Sequence, residues 1–307
     1  MTRIGTGGFA ASVAVLVGSC VASSLMPAKA ALPGSTAAPP MHVAPPPRPP
    51  EVRGGPITLS GAAVQGGIML GQLAPGALNL TLNGMPVRVA PDGRFMIGFS
   101  NDAPPAAILR VTAQGGRAVE LPLKVEPRAW KLETIASLPR FAQPSAEFAR
   151  LRPPELARIN AARHIDGAAD GWRQRFVWPV KGRISGLFGS QRVYANGEKG
   201  APHSGVDVAQ PTGTPVVSPA DGVVILAADR PFTLEGNLLM IDHGMGLNSA
   251  FLHLSRIDVK VGQRVRQGQL VGAVGMTGRA SGPHLHWGMK WLDRRIDPLL
   301  LAGPMPG

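Results

Sequence analysis

GPHLHW, at residues 282–287, is one of three segments that together carry four of the chain's seven histidines; the other two read HSGVD at 203–207 and FLHLS at 251–255. Apolar residues alternate along these segments and Gly or Pro adjoins them, a pattern typical of short β-strands. Side chains two residues apart in a strand share one face. His284 and His286 are therefore expected on the same face, about 7 Å apart.

The HSGVD segment predicts a metal site. His203 and Asp207 share a face by the same rule, and Gly205 between them is expected to leave room for an ion. Structural zinc sites usually close all four positions with cysteines, whereas the only cysteine, Cys20, lies near the start of the chain. Two histidines and one carboxylate favour a catalytic zinc with an open position for water. The remaining histidines would then serve as base and oxyanion donor.

Further motifs place these segments in a family. They are HSGVD at 203–207, VVSPADG at 216–222, IDHG at 241–244, HLS at 253–255, VGQ at 261–263 continuing to GQ at 268–269, and TGR at 277–279 continuing to His286. In this order they make the segment from Trp178 to Pro298 similar to the LytM and lysostaphin-type zinc metallopeptidases, which cleave peptide bonds in peptidoglycan.

The resemblance implies a role for each site residue. It implies that His203, Asp207 and His286 bind zinc and that His253 and His284 are the catalytic pair. One of the pair would deprotonate the metal-bound water, and the other would stabilise the oxyanion or protonate the leaving amine. The sequence leaves open which histidine does which.

The other histidines are interpreted as structural or solvated. His243 lies in DHG at 242–244, which with Gly246 predicts a hairpin turn. His42, in a Pro-rich segment, and His164, near a helix end, are expected to be solvated.

Short apolar runs punctuated by glycine between Arg183 and Trp291 predict a mainly β fold. We assign residues 177–301 to an antiparallel β-sheet, barrel-sandwich metallopeptidase domain and residues 302–307 to a tail. The same pattern suits a biotinyl or lipoyl carrier domain. A carrier needs a lysine at an exposed hairpin tip, and Lys290 is not in a convincing hairpin.

Two regions precede the histidine segments. Residues 56–127 predict a small β-sandwich, because LNLTL at 78–82 alternates and is followed by Asn83-Gly84. Residues 128–176 predict a short helical connector in which Pro153-Pro154 interrupts one helix and starts a second. The connector either regulates access to the site or is a rigid spacer.

The first 30 residues predict a secretory signal cleaved after Ala30, since an uncharged stretch from Ile4 to Met26 precedes an A-x-A pattern. A lipoprotein signal with an anchor at Cys20 is the alternative, because LVGSC at 16–20 is an acceptable lipobox. Residues 31–55 predict an extended Pro-rich linker. The leader therefore predicts export to the periplasm or cell envelope. No other run approaches membrane-spanning length.

The chain is basic, with 31 Lys and Arg against 19 Asp and Glu, a net charge of +12. This charge favours polyanions, which in the exported compartment means cell-wall polymer or lipid headgroups. Without an arginine-rich run or an aromatic stripe, the sequence does not predict nucleic-acid binding.

Together these features predict a zinc-dependent endopeptidase acting on the peptide stems and cross-links of peptidoglycan. We favour an enzyme of the Gram-negative periplasm. The sequence does not decide whether it has a regulatory protein partner. The alternatives are a non-catalytic activator of a cell-wall amidase or a wall-binding module on the same fold.

Overall fold

The computed structural model describes residues 51–113, 116–135, 145–194 and 197–306. The predicted signal sequence, the Cys20 lipid site, His42 and most of the Pro-rich linker lie outside these ranges. None of the helices in the described ranges has the length and apolar character needed to cross a membrane. The prediction of a mainly β chain is confirmed.

Residues 51–113 and 116–124 form eight strands, which are divided between two four-stranded sheets. They are β1 Glu51–Gly54, β2 Ile57–Ser60, β3 Ile68–Leu73, β4 Ala77–Leu82, β5 Met85–Pro86, β6 Arg94–Gly98, β7 Ala106–Ala113 and β8 Ala118–Lys124. One sheet has the order β1-β2-β3-β6 and the other β5-β4-β7-β8. Leu59 and Phe95 of the first meet Leu82 and Leu109 of the second in one buried core. Only glycine fits at position 71, because the Phe95 ring lies 2.1 Å from where a Cβ would be.

The connector consists of β9 Leu132–Ile135, α1 Ala146–Arg163 and a 3₁₀ turn at Gly171–Arg173. The predicted interruption at Pro153-Pro154 is wrong, since α1 runs through both prolines. Ser145 caps the start of the helix by accepting a hydrogen bond from the Phe148 N–H.

Tertiary contacts explain why α1 tolerates the two prolines, which lack the N–H that a helix interior uses. Arg152 donates two hydrogen bonds to Glu235, at 2.6 and 2.8 Å, and both side chains are about 15% exposed. Glu155 accepts from the backbone N–H of Thr233 at 2.7 Å. Ile159 is buried in an apolar cluster beneath the helix. These contacts compensate for the lost helical hydrogen bonds.

We expect Arg152→Met to lower the free energy of unfolding by about 3 kcal/mol, the lower end of the cost of breaking a buried ion pair. The substitution leaves the largely buried Glu235 and Glu155 without their shared cation. Urea unfolding, with hydrogen exchange of α1 amides as a local measure, tests this. Arg150→Met is the matched control, because Arg150 is exposed on the same helix and should change stability by less than about 0.5 kcal/mol. Equal effects of the two substitutions would contradict the prediction.

The C-terminal part of the described chain is also built from strands. They are β10 Arg183–Gly186, β11 Gln191–Tyr194, β12 Gly205–Ala209, β13 Pro215–Val217, β14 Gly222–Ala227, β15 Asn237–Gly244, β16 Leu247–Leu254, β17 Arg256–Ile257, β18 Arg264–Val265, β19 Leu270–Ala273, β20 His284–Trp291 and β21 Arg294–Ile296, followed by α2 Pro298–Ala302. Among these residues the main sheet has the order β10-β12-β20-β16-β15-β14-β18, with β21 also paired to β20. It is open, with antiparallel pairing throughout.

Alternation along β20 separates two faces of this sheet. Leu285, Trp287 and Met289 are buried in the main core. His284, His286 and the residues that alternate after them point to the opposite face of the sheet. We call this face the histidine face.

Helix α1 covers part of the histidine face. Leu252 and Ala250 of β16 lie opposite His286 and Gly288 of β20, and Met240 of β15 lies opposite Ala250. These apolar residues pack with Ile159 and Ala162 of α1 in a cluster separate from the main core. The helix is thus one wall beside the histidine face.

The β-sandwich packs against the β20–β21 end of the sheet. The Asp297 N–H donates to the Gly66 carbonyl of the sandwich at 2.8 Å. Arg128, the first residue after the sandwich, donates to the buried Asp297 carboxylate at 2.8 Å. Trp291 and Ile296 both lie about 3.0 Å from where a Cβ on Gly98 would be, so this glycine permits close packing.

Candidate metal centre

The antiparallel pairing of β12 with β20 brings the first two candidate ligands together, because Asp207 lies directly opposite His286. His284 and His286 share a face of β20, as their spacing predicts. His203 differs from the prediction, since it lies two residues before β12 rather than inside it. The role expected for Gly205 is also wrong. A Cβ there would lie 2.3 Å from the Trp287 carbonyl oxygen, so Gly205 permits close strand packing and does not make room for an ion.

The side chains of three residues converge on one point. His203 Nε2 lies 3.1 Å from His286 Nδ1 and 3.2 Å from Asp207 Oδ2, and His286 Nδ1 lies 2.8 Å from Asp207 Oδ1. Tetrahedral zinc with bonds of about 2.0–2.1 Å separates its ligand atoms by about 3.3 Å. The spacing and chemistry of this His–Asp–His set therefore fit the predicted zinc cofactor.

Hydrogen bonds behind the ligands orient them. His203 Nδ1 lies 3.1 Å from the Leu187 carbonyl, which can only accept, so Nδ1 carries the proton and Nε2 has the free lone pair. On the other histidine, Nε2 lies 3.3 Å from Ser204 Oγ, which leaves Nδ1 of His286 to face Asp207. Sequence reasoning missed Ser204, although its position directly after His203 was a signal.

The Asp207 carboxylate is kept ionised. Burial alone would raise its pKa, but hydrogen bonds with His203 and His286 hold the pKa of Asp207 well below its usual range. A charged carboxylate is the form that binds a metal ion.

His253 reaches the histidine face through an unusual backbone conformation. Leu252 pairs with His286, so regular alternation would place the next side chain on the opposite face. The φ of His253 is +63°, in the left-handed region that non-glycine residues rarely adopt. Its ring instead lies 4.8 Å from that of His284, centroid to centroid. Such a conformation costs about 1–3 kcal/mol and is typical of functional sites.

Both histidines of this pair bind a backbone carbonyl through Nδ1, which leaves Nε2 free. His253 Nδ1 lies 2.8 Å from the Thr277 carbonyl, and His284 Nδ1 lies 2.7 Å from the Gly282 carbonyl. Each Nδ1 therefore carries the proton. Burial lowers the pKa of His253 to about 4, so this imidazole is neutral at pH 7. Neutral imidazole is the form that accepts a proton from water.

The remaining histidines and Lys290 lie apart from this group. His243 is not in a turn but is fully buried near the end of β15, hydrogen-bonded to the Asp221 carbonyl and Ser249 Oγ. The hairpin turn consists of Met245 and Gly246, which follow Gly244 and both have positive φ. His164 is exposed. Lys290 lies within β20 rather than at an exposed hairpin tip, which removes the basis for a carrier domain.

The segment that contains these site residues is also the one that is similar to known proteins. The model of peptidase family M23 matches residues 201–298. Over 132 residues, 43% of this chain, the sequence is 41% identical to the peptidoglycan DD-endopeptidase ShyA of Vibrio cholerae, covering 30% of that protein. Over 133 residues, 41% of this chain, it is 36% identical to the cell division protein DipM of Caulobacter vibrioides, covering 21% of it. The chain thus spans less than a third of the length of these curated relatives.

A solved structure covers more of the chain. A crystal structure described as a peptidase M23 from Pseudomonas aeruginosa is 32% identical, with a TM-score of 0.61 over 79% of this chain and 96% of that one. The similarity therefore includes regions outside the 201–298 match. The family model, the curated relatives and this structure together show that the chain belongs to peptidase family M23.

Proposed function

We propose that the chain is a zinc-dependent endopeptidase that hydrolyses peptide cross-links of peptidoglycan. The observation that carries this proposal is the convergence of a complete His–Asp–His donor set with two further histidines, each with Nε2 free. The proposal assigns His203, Asp207 and His286 as zinc ligands and His253 and His284 as proton-transfer residues. The name of ShyA as a peptidoglycan DD-endopeptidase supports the same substrate class.

The residues of this chain divide the proposed reaction between them. Zinc, when bound, supplies a Lewis acid for the scissile carbonyl and makes water more acidic. His253 or His284 accepts a proton at Nε2, and the resulting imidazolium can donate it to the leaving amine. The partner histidine donates a hydrogen bond to the developing oxyanion when it is protonated.

Two non-enzymatic functions use the same fold, namely activation of an amidase and binding of the wall. Neither needs both proton-transfer histidines in addition to three metal ligands, so the observed set favours an enzyme.

The proposal also includes the organisation of the chain: a peptidase domain at 177–301, a β-sandwich accessory domain at 56–127 and a connector at 128–176. A location in the cell envelope is supported by the names of the relatives. Export to the periplasm, a lipid anchor at Cys20 and a regulatory protein partner rest on the sequence.

Digestion of purified sacculi tests the proposed function. We expect the purified chain to release soluble muropeptides and to lose this activity with a zinc chelator, with recovery on adding zinc. Mass spectrometry of the fragments identifies the bond cleaved. Binding to sacculi with no release of fragments by the zinc-loaded chain would favour the wall-binding alternative.

A further inference from the structure

A groove runs along the histidine face away from the metal centre, between the sheet and α1. Alternation places His286, Gly288 and Lys290 of β20 on this face. Gly288 leaves its floor open, because a Cβ there would meet only Ser204 and His286 atoms at 3.4 Å or more. The groove has a volume of about 210 Å³.

The far end of the groove is formed by three cations. Lys290 pairs across the strands with Arg295 of β21, and Arg163 faces them from the last turn of α1. Arg163 Nε is buried and has no hydrogen-bond partner. In the described part of the chain, none of the three forms a side-chain hydrogen bond or an ion pair with a carboxylate.

Nearby acids do not neutralise this cluster. Glu235 already accepts two hydrogen bonds from Arg152, and Asp293 lies on the exposed turn between β20 and β21. Burial, followed by repulsion from Arg295, lowers the pKa of Arg163. Burial, followed by repulsion from Arg163 and Arg295, lowers the pKa of Lys290. An anion bound between the cations would offset the repulsion among them.

We propose that Arg163, Lys290 and Arg295 form a subsite that binds a free carboxylate of the substrate's peptide stem. This inference rests on the proposed function, because it places the scissile bond beside His286. His286 and Lys290 are four positions apart along the strand, about 13 Å, which is the length of about four residues of an extended peptide. Peptidoglycan stems are acidic peptides, so a carboxylate at that distance is a chemically suitable ligand. The subsite would select charged stems over amidated ones.

Binding of a synthetic stem tetrapeptide to the full chain tests the subsite. The peptide is prepared with free carboxylates and, separately, with those carboxylates amidated. We expect calorimetry to show at least about tenfold tighter binding of the acid form, because charge-assisted hydrogen bonds are roughly twice as strong as neutral ones. Lys290→Met should weaken binding of the acid form about tenfold and leave binding of the amidated form unchanged.

Arg294→Gln provides the matched control. Arg294 precedes Arg295 in β21 but stacks on the Trp291 ring, 5.1 Å from its centroid, so its variant should bind both peptides as the wild-type chain does. Equal affinity of the wild-type chain for the two forms, or no binding of either, would overturn the subsite, and this comparison does not depend on how a variant folds. Digestion of sacculi tests the proposed function separately. Turnover without carboxylate selectivity rejects the subsite alone, whereas selective binding without turnover rejects the endopeptidase.

Discussion

Replacing His286 with alanine is expected to remove zinc from the purified chain and, with it, all hydrolysis. His286 Nδ1 lies 2.8 Å from Asp207 Oδ1 and 3.1 Å from His203 Nε2, so its loss leaves only two of the three donors. Loss of a supporting residue alone typically costs 10–100-fold in metal affinity, so loss of a ligand should cost more than about 100-fold. Metal content after dialysis, measured by inductively coupled plasma mass spectrometry, gives the result directly.

His164→Ala is the matched control for that measurement, because His164 is exposed and lies on α1's C-terminal side, away from the ligand cluster. It should retain one zinc per chain. Retention of stoichiometric zinc by His286→Ala with the same affinity as the control would show that the ligand assignment is incorrect.

The second large effect is expected at His284. Its Nε2 lies 3.8 Å from Asp207 Oδ1, beside the ligands but outside their closest contacts. Replacing His284 with alanine should therefore leave zinc bound. Loss of one of the two proton-transfer residues should lower kcat about 10²–10⁴-fold, the usual contribution of general acid–base catalysis.

Steady-state hydrolysis of a cross-linked muropeptide, with metal content measured on the same sample, separates chemistry from metal loss. His253→Ala should behave similarly, and the different pH profiles of the two variants would assign base and acid. Wild-type turnover by zinc-loaded His284→Ala would remove it from the catalytic pair.

The sequence predicted those parts of the site that follow from regular strand geometry. His284 and His286 lie two residues apart in a real strand, so alternation placed both correctly. His203 did not follow the rule because it precedes β12, and its direction is set by contacts with Leu187 and Ser190. His253 reaches the site only through its positive φ. A periodic pattern contains no information about such a local change of backbone.

The connector shows a second limit of sequence reasoning. The helix-compatible spacing of apolar residues indicated a helix, which is present at Ala146–Arg163. The two prolines suggested a break that tertiary contacts override. Arg152 and Glu235 are 83 positions apart, and no local pattern reveals their pairing. The same separation hid the groove, since its walls come from different parts of the chain.

The position of α1 has a consequence for how related enzymes can differ. The match to the M23 family begins at residue 201, whereas α1 ends at Arg163 and forms one wall of the groove. Substitutions on this helix face would change the groove wall without touching the strands that carry the candidate metal ligands. With the groove as the proposed peptide site, substrate selectivity can change separately from the metal centre, through a segment that a comparison restricted to residues 201–298 leaves out.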